Sequence, residues 1–586
     1  MKKNKKDRSG PDDASLAKNE VFRAHTGRYQ LYGKEFYDPV KRLEPRPPED
    51  LRTNPPAGLK KRIDEQLKRY EKERKKYATN GDSGSDSGAG GSPRYYLPRH
   101  GRTLHRALEQ NYVVRSAYHK PGVFGRMFPT LPSVDFTEPS LVSLATLMTD
   151  PSGGVDNPAI TAGFTFLGQF LDHDITFDPT SSLEKKNDPE AIKNFRTPVF
   201  ELDSVYGAGP DVHPFLYDAD PANVGKMLIG RDTDGAPNDL PRNPQGVALI
   251  GDPRNDENLI VSQLHLAFLK FHNFVVDHIE ADGVEGGVPV PESFRFDEAQ
   301  RVVRWHYQWL VGHEFLQKTL GQAQWERLVE PFITFGPYKK NGRKKGDYPG
   351  HLTGQDPYGN TLHAAYYRRQ PYIPVEFSVA AYRFGHSQVR PGYQINGAFG
   401  GAIFPDLAIG DNLDPAQNVL LAGRAVDWSL FFDTGGSPTP GKRIDPSISG
   451  PLANLPGFTT DASLMVRNLK RGNAFSLPWG QRVAAAIGVA PLTDDELTTG
   501  GVKLTDLGFP ARRAPLWYYV LKEAEVHADG KHLGPVGAHI VATVFVSLLR
   551  GDYNSYINHD PTWTPFLKSK KAGDFTIADL VTLAAS

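Results

Sequence analysis

Cysteine is absent from all 586 residues, which removes disulfides, thiolate metal sites, iron–sulfur clusters and a cysteine nucleophile together. The absence leaves the redox compartment open. Methionine is nearly missing as well, at five residues, so the chain holds few easily oxidised sulfurs; that suits a protein handling oxidants and follows equally from drift. Net charge is also lacking: Lys+Arg and Asp+Glu both number 68, so no global field draws nucleic acid or an anionic membrane. The opening MKKNKKDRSGPDDASLAKNE has basic residues but no apolar stretch behind them, and so lacks the pattern of a secretory signal. The least polar run, Val536 to Leu549, is too short to span a bilayer and contains His539. The expectation is a soluble protein without a transmembrane segment, cytoplasmic or exported by a non-classical route.

What is present divides at one place. Residues 1 to 57 are rich in charge and proline, and a basic segment follows in which Leu59, Ile63, Leu67 and Tyr70 fall at helical spacing. It reads as a solvated surface helix or a docking helix. GDSGSDSGAGGSP, from Gly81 to Pro93, is a flexible linker by composition. We therefore expect an N-terminal extension over 1–93 and a globular body over 94–586. In that body Leu259, Ile260, Leu264, Ala267, Phe268, Phe271 and Val275 form one apolar stripe, and Phe296 to Leu320 reads as a second long amphipathic helix. Strand-like alternation is scarce, and proline and glycine collect in long connections such as Gly346 to Asp356 and Asp433 to Pro456. The fold class is mainly α, a helical domain with long loops and little β.

Four strings carry the chemistry. FTFLGQFLDHDITF, from Phe164, sets Gln169, Asp172, His173 and Asp174 in a largely apolar, helical stretch. Buried aspartates need a compensating partner, and helical spacing puts Gln169 and His173 on one face while Asp172 and Asp174 point elsewhere. By itself the triplet also fits a satisfied core histidine beside surface carboxylates. GDPRNDEN, Gly251 to Asn258, places Arg254 and Glu257 three apart at a helix start near Pro253; a helix-start ion pair is the plain alternative. SVAAYRFGHSQ holds His386 with Arg383 three residues earlier, either an axial ligand or a buried histidine. RNLKRGNAFSLPWGQ repeats the three-residue spacing with Asn468 and Arg471.

Together and in this order, the strings resemble the animal-type haem peroxidase (peroxidase–cyclooxygenase) superfamily, and within it a bacterial myeloperoxidase- and peroxidasin-like branch. The resemblance spans about Phe164 to Gln481 and leaves the first 95 or so residues uncovered. It implies haem b, with His173 as distal base, Arg254 as the cation that stabilises the departing oxygen, and Gln169 holding water or a halide over the iron. His386 matches the proximal iron ligand and Asn468 the acceptor for its second nitrogen. Arg383 and Arg471 match residues that pair with haem propionates. Asp172 and Glu257 match two carboxylates that form esters to haem methyl groups; Asn258 stands where myeloperoxidase has a methionine, so the sulfonium link is not expected.

The segment RTPVFELDSVYG, from Arg196, resembles the family's calcium loop, with Thr197, Val199, Glu201 and Asp203 as ligands and Asp174 completing the shell. The function implied is a peroxidase that reduces hydrogen peroxide and oxidises halides, thiocyanate or small aromatic donors through a ferryl intermediate. A haem-dependent fatty-acid dioxygenase is the alternative. Its tyrosine would stand three residues before the proximal histidine, where this chain has Arg383 with Tyr382 one step further back. No nucleic-acid partner is expected.

Overall fold

A computed structural model describes residues 122–177, 187, 193–194, 196–207, 209–285, 287–334, 372–404, 413, 419–455, 461–552 and 554–586. The basic segment after residue 57, the linker at 81–93 and the loop 346–356 lie outside these. Contacts divide the chain into two units, Met1–Pro98 with His278–Glu298, and Arg99–Asp277 with Ala299–Ser586. The described part of the first is residues 278–285 and 287–298, where a bridge between Val284 and Val288 lies between two helices.

The second unit is mainly α, as its sequence predicts. Its strands are short: β1 (Gly122–Gly125), β2 (Thr149–Asp150), β3 (Asp156–Thr161), β4 (Lys193–Asn194), β5 (Tyr372–Pro374), β6 (Gly392–Gln394), β7 (Gly400–Ala402), β8 (Pro440–Lys442) and β9 (Ile448–Ser449). β1 pairs parallel with β5 and antiparallel with β4, and the others form two-stranded ladders. The main helices are α1 (Glu138–Met148), α2 (Gly163–Ile175), α3 (Leu259–Asp282), α4 (Glu292–Leu310), α5 (Leu464–Ala474), α6 (Leu516–Ala528), α7 (Pro535–Gly551) and α8 (Ile577–Ala584). Local chemistry fixes their starts: Thr137, Ser463 and Thr576 accept backbone N–H groups at the starts of α1, α5 and α8.

Two helices differ in detail from their sequence patterns. The predicted helix over Phe296 to Leu320 begins earlier, at Glu292, and contains a π turn at Val311–Phe315 before resuming at Leu316. The extra residue rotates the stripe and brings Phe315 against Phe545 and Tyr382. The helix expected near Pro253 is a separate 3₁₀ turn, Pro253–Asp256, because Asp252 caps it through the N–H of Arg254; α3 starts only at Leu259.

Among the described residues, α3 is long and apolar enough to cross a membrane, and 83% of its apolar window is buried inside the protein, as in a core helix. α7, which contains the least polar run in the sequence, is buried from Val536 through Leu549. α6 and α7 pack on one another and both pack against the 3₁₀ segment Ala381–Gln388, which α2 also contacts. Gly163 allows α2 to start where it does: a Cβ there would lie 2.4 Å from the Phe432 ring and 2.6 Å from the Phe431 carbonyl.

Candidate active site

α2 delivers the first group of side chains. His173 is buried in its last turn, and Nδ1 donates to Asn255 Oδ1 at 2.7 Å. That bond places the proton on Nδ1 and leaves a lone pair on Nε2. Burial, followed by the Arg254 charge, pushes the imidazole down to about 3, so it is neutral. One turn earlier, Gln169 donates to Glu257 Oε2 and accepts from Asn258 Nδ2, both at 3.2 Å.

Arg254 is pinned from three directions. Its Nη2 donates to the carbonyls of His173 at 3.1 Å and Thr176 at 2.6 Å, and to Asp252 Oδ2 at 2.8 Å. Its guanidinium stacks 4.5 Å from the Phe177 ring centre, and Nη1 faces Asp172 Oδ2 at 4.0 Å. Asp252 in turn accepts from Arg196 Nε at 2.8 Å. Burial alone would raise the Asp252 carboxyl, but the Arg254 hydrogen bonds and the charges of Arg196 and Arg254 hold it at about 2. Asp256, at the end of the same turn, is clamped by both terminal nitrogens of Arg242, at 2.7 and 2.9 Å.

Asp172 and Glu257 flank this group. Glu257 is exposed by area and the Asp172 side chain is 35% exposed, although protein atoms crowd both carboxyls. Burial pushes both up, Asp172 against the pull of Arg254, and Glu257 to about 7. Thr176 Oγ1 donates to Asp172 at 2.9 Å.

The other side of the site is the Ala381–Gln388 segment, entered through a π turn at Glu376–Ala380. With three residues per turn, a 3₁₀ helix stacks positions three apart, so Arg383 and His386 share one face. Asn468 from α5 meets both: its Nδ2 lies 2.8 Å from His386 Nδ1, and its Oδ1 accepts from Arg383 Nη1 at 3.2 Å. This differs from the acceptor role expected for Asn468. A guanidinium can only donate, so it claims the amide oxygen and turns the NH₂ toward the imidazole. In that arrangement His386 carries its proton on Nε2. Ligation through Nε2 therefore requires the amide to turn over and Arg383 to find another acceptor.

His386 is half-buried and neutral, pushed down by burial to about 3. A Cβ added at the adjacent Gly385 would meet nothing within 4 Å. Arg471 lies on α5, one turn beyond Asn468. Tyr382 turns away from His386, stacks on Phe377 at 4.7 Å, and donates its hydroxyl to the Gly168 carbonyl of α2 at 3.1 Å.

Behind α2, Asp174 is fully buried, accepts from Tyr307 at 3.0 Å, and is pushed well above the usual carboxylate range by burial and by the charge of Asp203. Thr197, Val199, Glu201 and Asp203, which follow α2 in the chain, are also buried. Asp174 Oδ1 and Thr197 Oγ1 have no hydrogen-bond partner. Asp203 is paired with Arg196 at 3.3 Å. Among the described residues, no three acidic or histidine groups converge as a metal shell, so any shell here would depend on hydroxyl and carbonyl oxygens as well.

Sequence reasoning missed Asp252, Asn255, His265 and Arg196. The cap signal of Asp252 before Pro253 was available in the sequence; the rest depend on packing across elements.

Residues 182–410 match the model of the animal haem peroxidase family. A peroxidase-like protein of Margaritifera margaritifera is 25% identical over 346 residues, covering 53% of this chain and 38% of the relative, so the chain spans well under half of that protein. Peroxidase A of Dictyostelium discoideum shares the fold with a TM-score of 0.52 and 16% identity over 79% of this chain and 94% of its own. A fatty acid alpha-dioxygenase of Oryza sativa does so with 0.53 and 17% over 74% and 76%. The match to the animal haem peroxidase family thus lies within residues 182–410, and the fold is one shared with these peroxidase and dioxygenase structures. Arg254, Glu257, Arg383 and His386 fall within the matched span; His173 and Asn468 flank it.

Proposed function

We propose that this chain is a haem peroxidase that reduces hydrogen peroxide and oxidises halides, thiocyanate or small aromatic donors. The observation that carries this is the hydrogen bond from His173 Nδ1 to Asn255, which leaves an unprotonated Nε2 lone pair on the residue whose carbonyl holds the Arg254 guanidinium. When bound, haem supplies the iron at which the O–O bond of peroxide is split. Nε2 of His173 takes the proton from the near oxygen of peroxide and returns it to the far one, so that water leaves. Arg254, already held by Asp252 and two carbonyls, stabilises the charge on the departing oxygen without reorganising. Gln169 orients water or a halide beside it.

The residues present fit the group. His386 is neutral and becomes a ligand through Nε2 once the Asn468 amide turns over, Arg383 and Arg471 supply cations for carboxylates, and Asp172 lies 4.0 Å from Arg254 with Glu257 bonded to Gln169. Asp172 and Glu257 are the carboxyls we assign to ester links; acid-acetone extraction should then leave haem on the protein. Calcium at Asp174, Thr197, Val199, Glu201 and Asp203 is a structural ion in this reading, supported by the two unpartnered buried oxygens and by the like-charged pair Asp174 and Asp203. The placement in a bacterial myeloperoxidase- and peroxidasin-like branch rests on the motif strings.

The dioxygenase alternative needs a phenol facing substrate, and the hydroxyl of Tyr382 is instead engaged with the Gly168 carbonyl. A steady-state panel of halides and phenols with peroxide, run beside oxygen uptake with linoleate and no peroxide, separates the two. Donor oxidation that depends on peroxide supports the proposal; peroxide-independent oxygen uptake without donor oxidation would replace it.

A further inference from the structure

We infer that Asn255 and His265 form a hydrogen-bond relay that decides which nitrogen of His173 carries the proton, making both of them positioning residues. The catalytic consequence rests on the peroxidase reading above; the relay itself does not.

Three elements meet here: His173 on α2, Asn255 on the 3₁₀ turn, and His265 on α3. His173 Nδ1 lies 2.7 Å from Asn255 Oδ1, and Asn255 Nδ2 lies 3.0 Å from His265 Nδ1. Asn255 and His265 are both completely buried, so water does not compete for these groups. An amide has one accepting end and one donating end, which forces the two imidazoles into opposite roles. With Oδ1 toward His173, that ring is protonated on Nδ1 and presents a bare Nε2; with Nδ2 toward His265, the second ring is protonated on Nε2. If the amide turned over, both tautomers would reverse, and His173 would present an N–H that can give a proton but not accept one.

His265 Nε2 is buried with no hydrogen-bond partner, while Phe170 packs edge-on to the ring at 6.1 Å between centres. Among the described residues the one polar contact of His265 is to the amide bonded to His173, and the N–H this orientation leaves on Nε2 is unpaired. A buried network serving only stability would need its hydrogen bonds satisfied but not any particular direction. A relay needs the direction.

Four variants test this: Asn255→Leu, His265→Leu, Asn255→Asp, and Asn255→Asp combined with His265→Leu. A carboxylate has no donating end, so with Asp at position 255 the orientation no longer depends on His265. Spectra of haem-free protein carrying nitrogen-labelled histidine read the His173 tautomer, and stopped-flow mixing of haem-loaded protein reads the rate with peroxide. The relay predicts Nδ1–H for His173 in the wild type and a loss of that preference in Asn255→Leu and His265→Leu. It also predicts a fall of about tenfold or more in their peroxide rate, and a double variant that matches Asn255→Asp alone. An unchanged tautomer in His265→Leu, or a double variant no faster than His265→Leu, would overturn it. If wild type itself failed to react with peroxide, the function reading would fall and the tautomer spectra would still decide the relay.

Discussion

Tyr382 donates its hydroxyl to the carbonyl of Gly168 at 3.1 Å, and so ties the segment that carries His386 to the helix that carries His173. The two imidazoles of the site are thereby placed on elements that touch directly, through a buried phenol packed among Phe377, Phe315 and Phe545. Tyr382→Phe removes one hydrogen bond and keeps the packing. It should cost about 1 kcal/mol of stability and leave peroxide-dependent donor oxidation within about twofold of wild type, well short of the hundredfold that loss of a proton-transfer group brings. Loss of turnover in a well-folded Tyr382→Phe protein would instead place this phenol in the chemistry.

Asp252 holds two guanidiniums and has no exposed surface. Replacing it by Asn leaves Arg196 only the longer pair with Asp203 and Arg254 only Asp172 at 4.0 Å, so the loss should approach the roughly 3–5 kcal/mol that removing one partner of a buried pair costs. Denaturant unfolding of Asp252→Asn should show that loss, together with a slower reaction with peroxide as Arg254 is released. A midpoint unchanged from wild type would show that the carboxylate is dispensable to the clamp.

How much of this was legible beforehand differs by residue. The 3.6-residue period around Phe164 announced α2, and the faces of Gln169, His173 and the two aspartates followed from it. Over the eight residues of Ala381–Gln388 the apolar pattern fits three residues per turn as well as 3.6, so the 3₁₀ geometry that stacks Arg383 on His386 was not readable. The motif resemblance makes Asn468 the partner of His386, but its orientation depends on Arg383, a third residue whose preference for an acceptor appears only when all three meet. Asn255 sat in a string already singled out, and nothing in its spacing announced a histidine ten positions on as its second neighbour.

The haem-free protein should lose stability on both sides of a maximum near about pH 6. Burial holds His265 at about 3 and His272 and His313 at about 4, against 6.5 for the free side chain. Between these limits the unfolded chain binds more protons than the fold, so stability rises with pH up to about 6.5. Burial holds Glu314 at about 7 and Glu523 at about 8, against 4.5. There the fold keeps protons that the unfolded chain has lost, so these groups make stability fall as pH rises from about 4.5 to 8. Midpoints of urea unfolding from about pH 4 to 9 check both arms; a stability that climbs steadily from about pH 6.5 to 8 would contradict the carboxyl assignments.

Calcium should stabilise the fold if Asp174 belongs to a cation site. Adding the ion to chelator-treated, haem-free protein should raise the melting temperature in proportion to the logarithm of its concentration, and Asp174→Asn should abolish the response. Equal melting with and without calcium would assign Asp174 to a neutral carboxyl bonded to Tyr307.

The most direct test of the whole account is a spectroscopic titration of haem into the haem-free chain, comparing wild type with His386→Ala and His173→Ala. We predict stoichiometric binding with a Soret band typical of histidine ligation in wild type and His173→Ala, lost or shifted in His386→Ala. Failure of the wild type to bind haem, or a His386→Ala spectrum identical to wild type, would contradict an iron porphyrin held between residues 173 and 386.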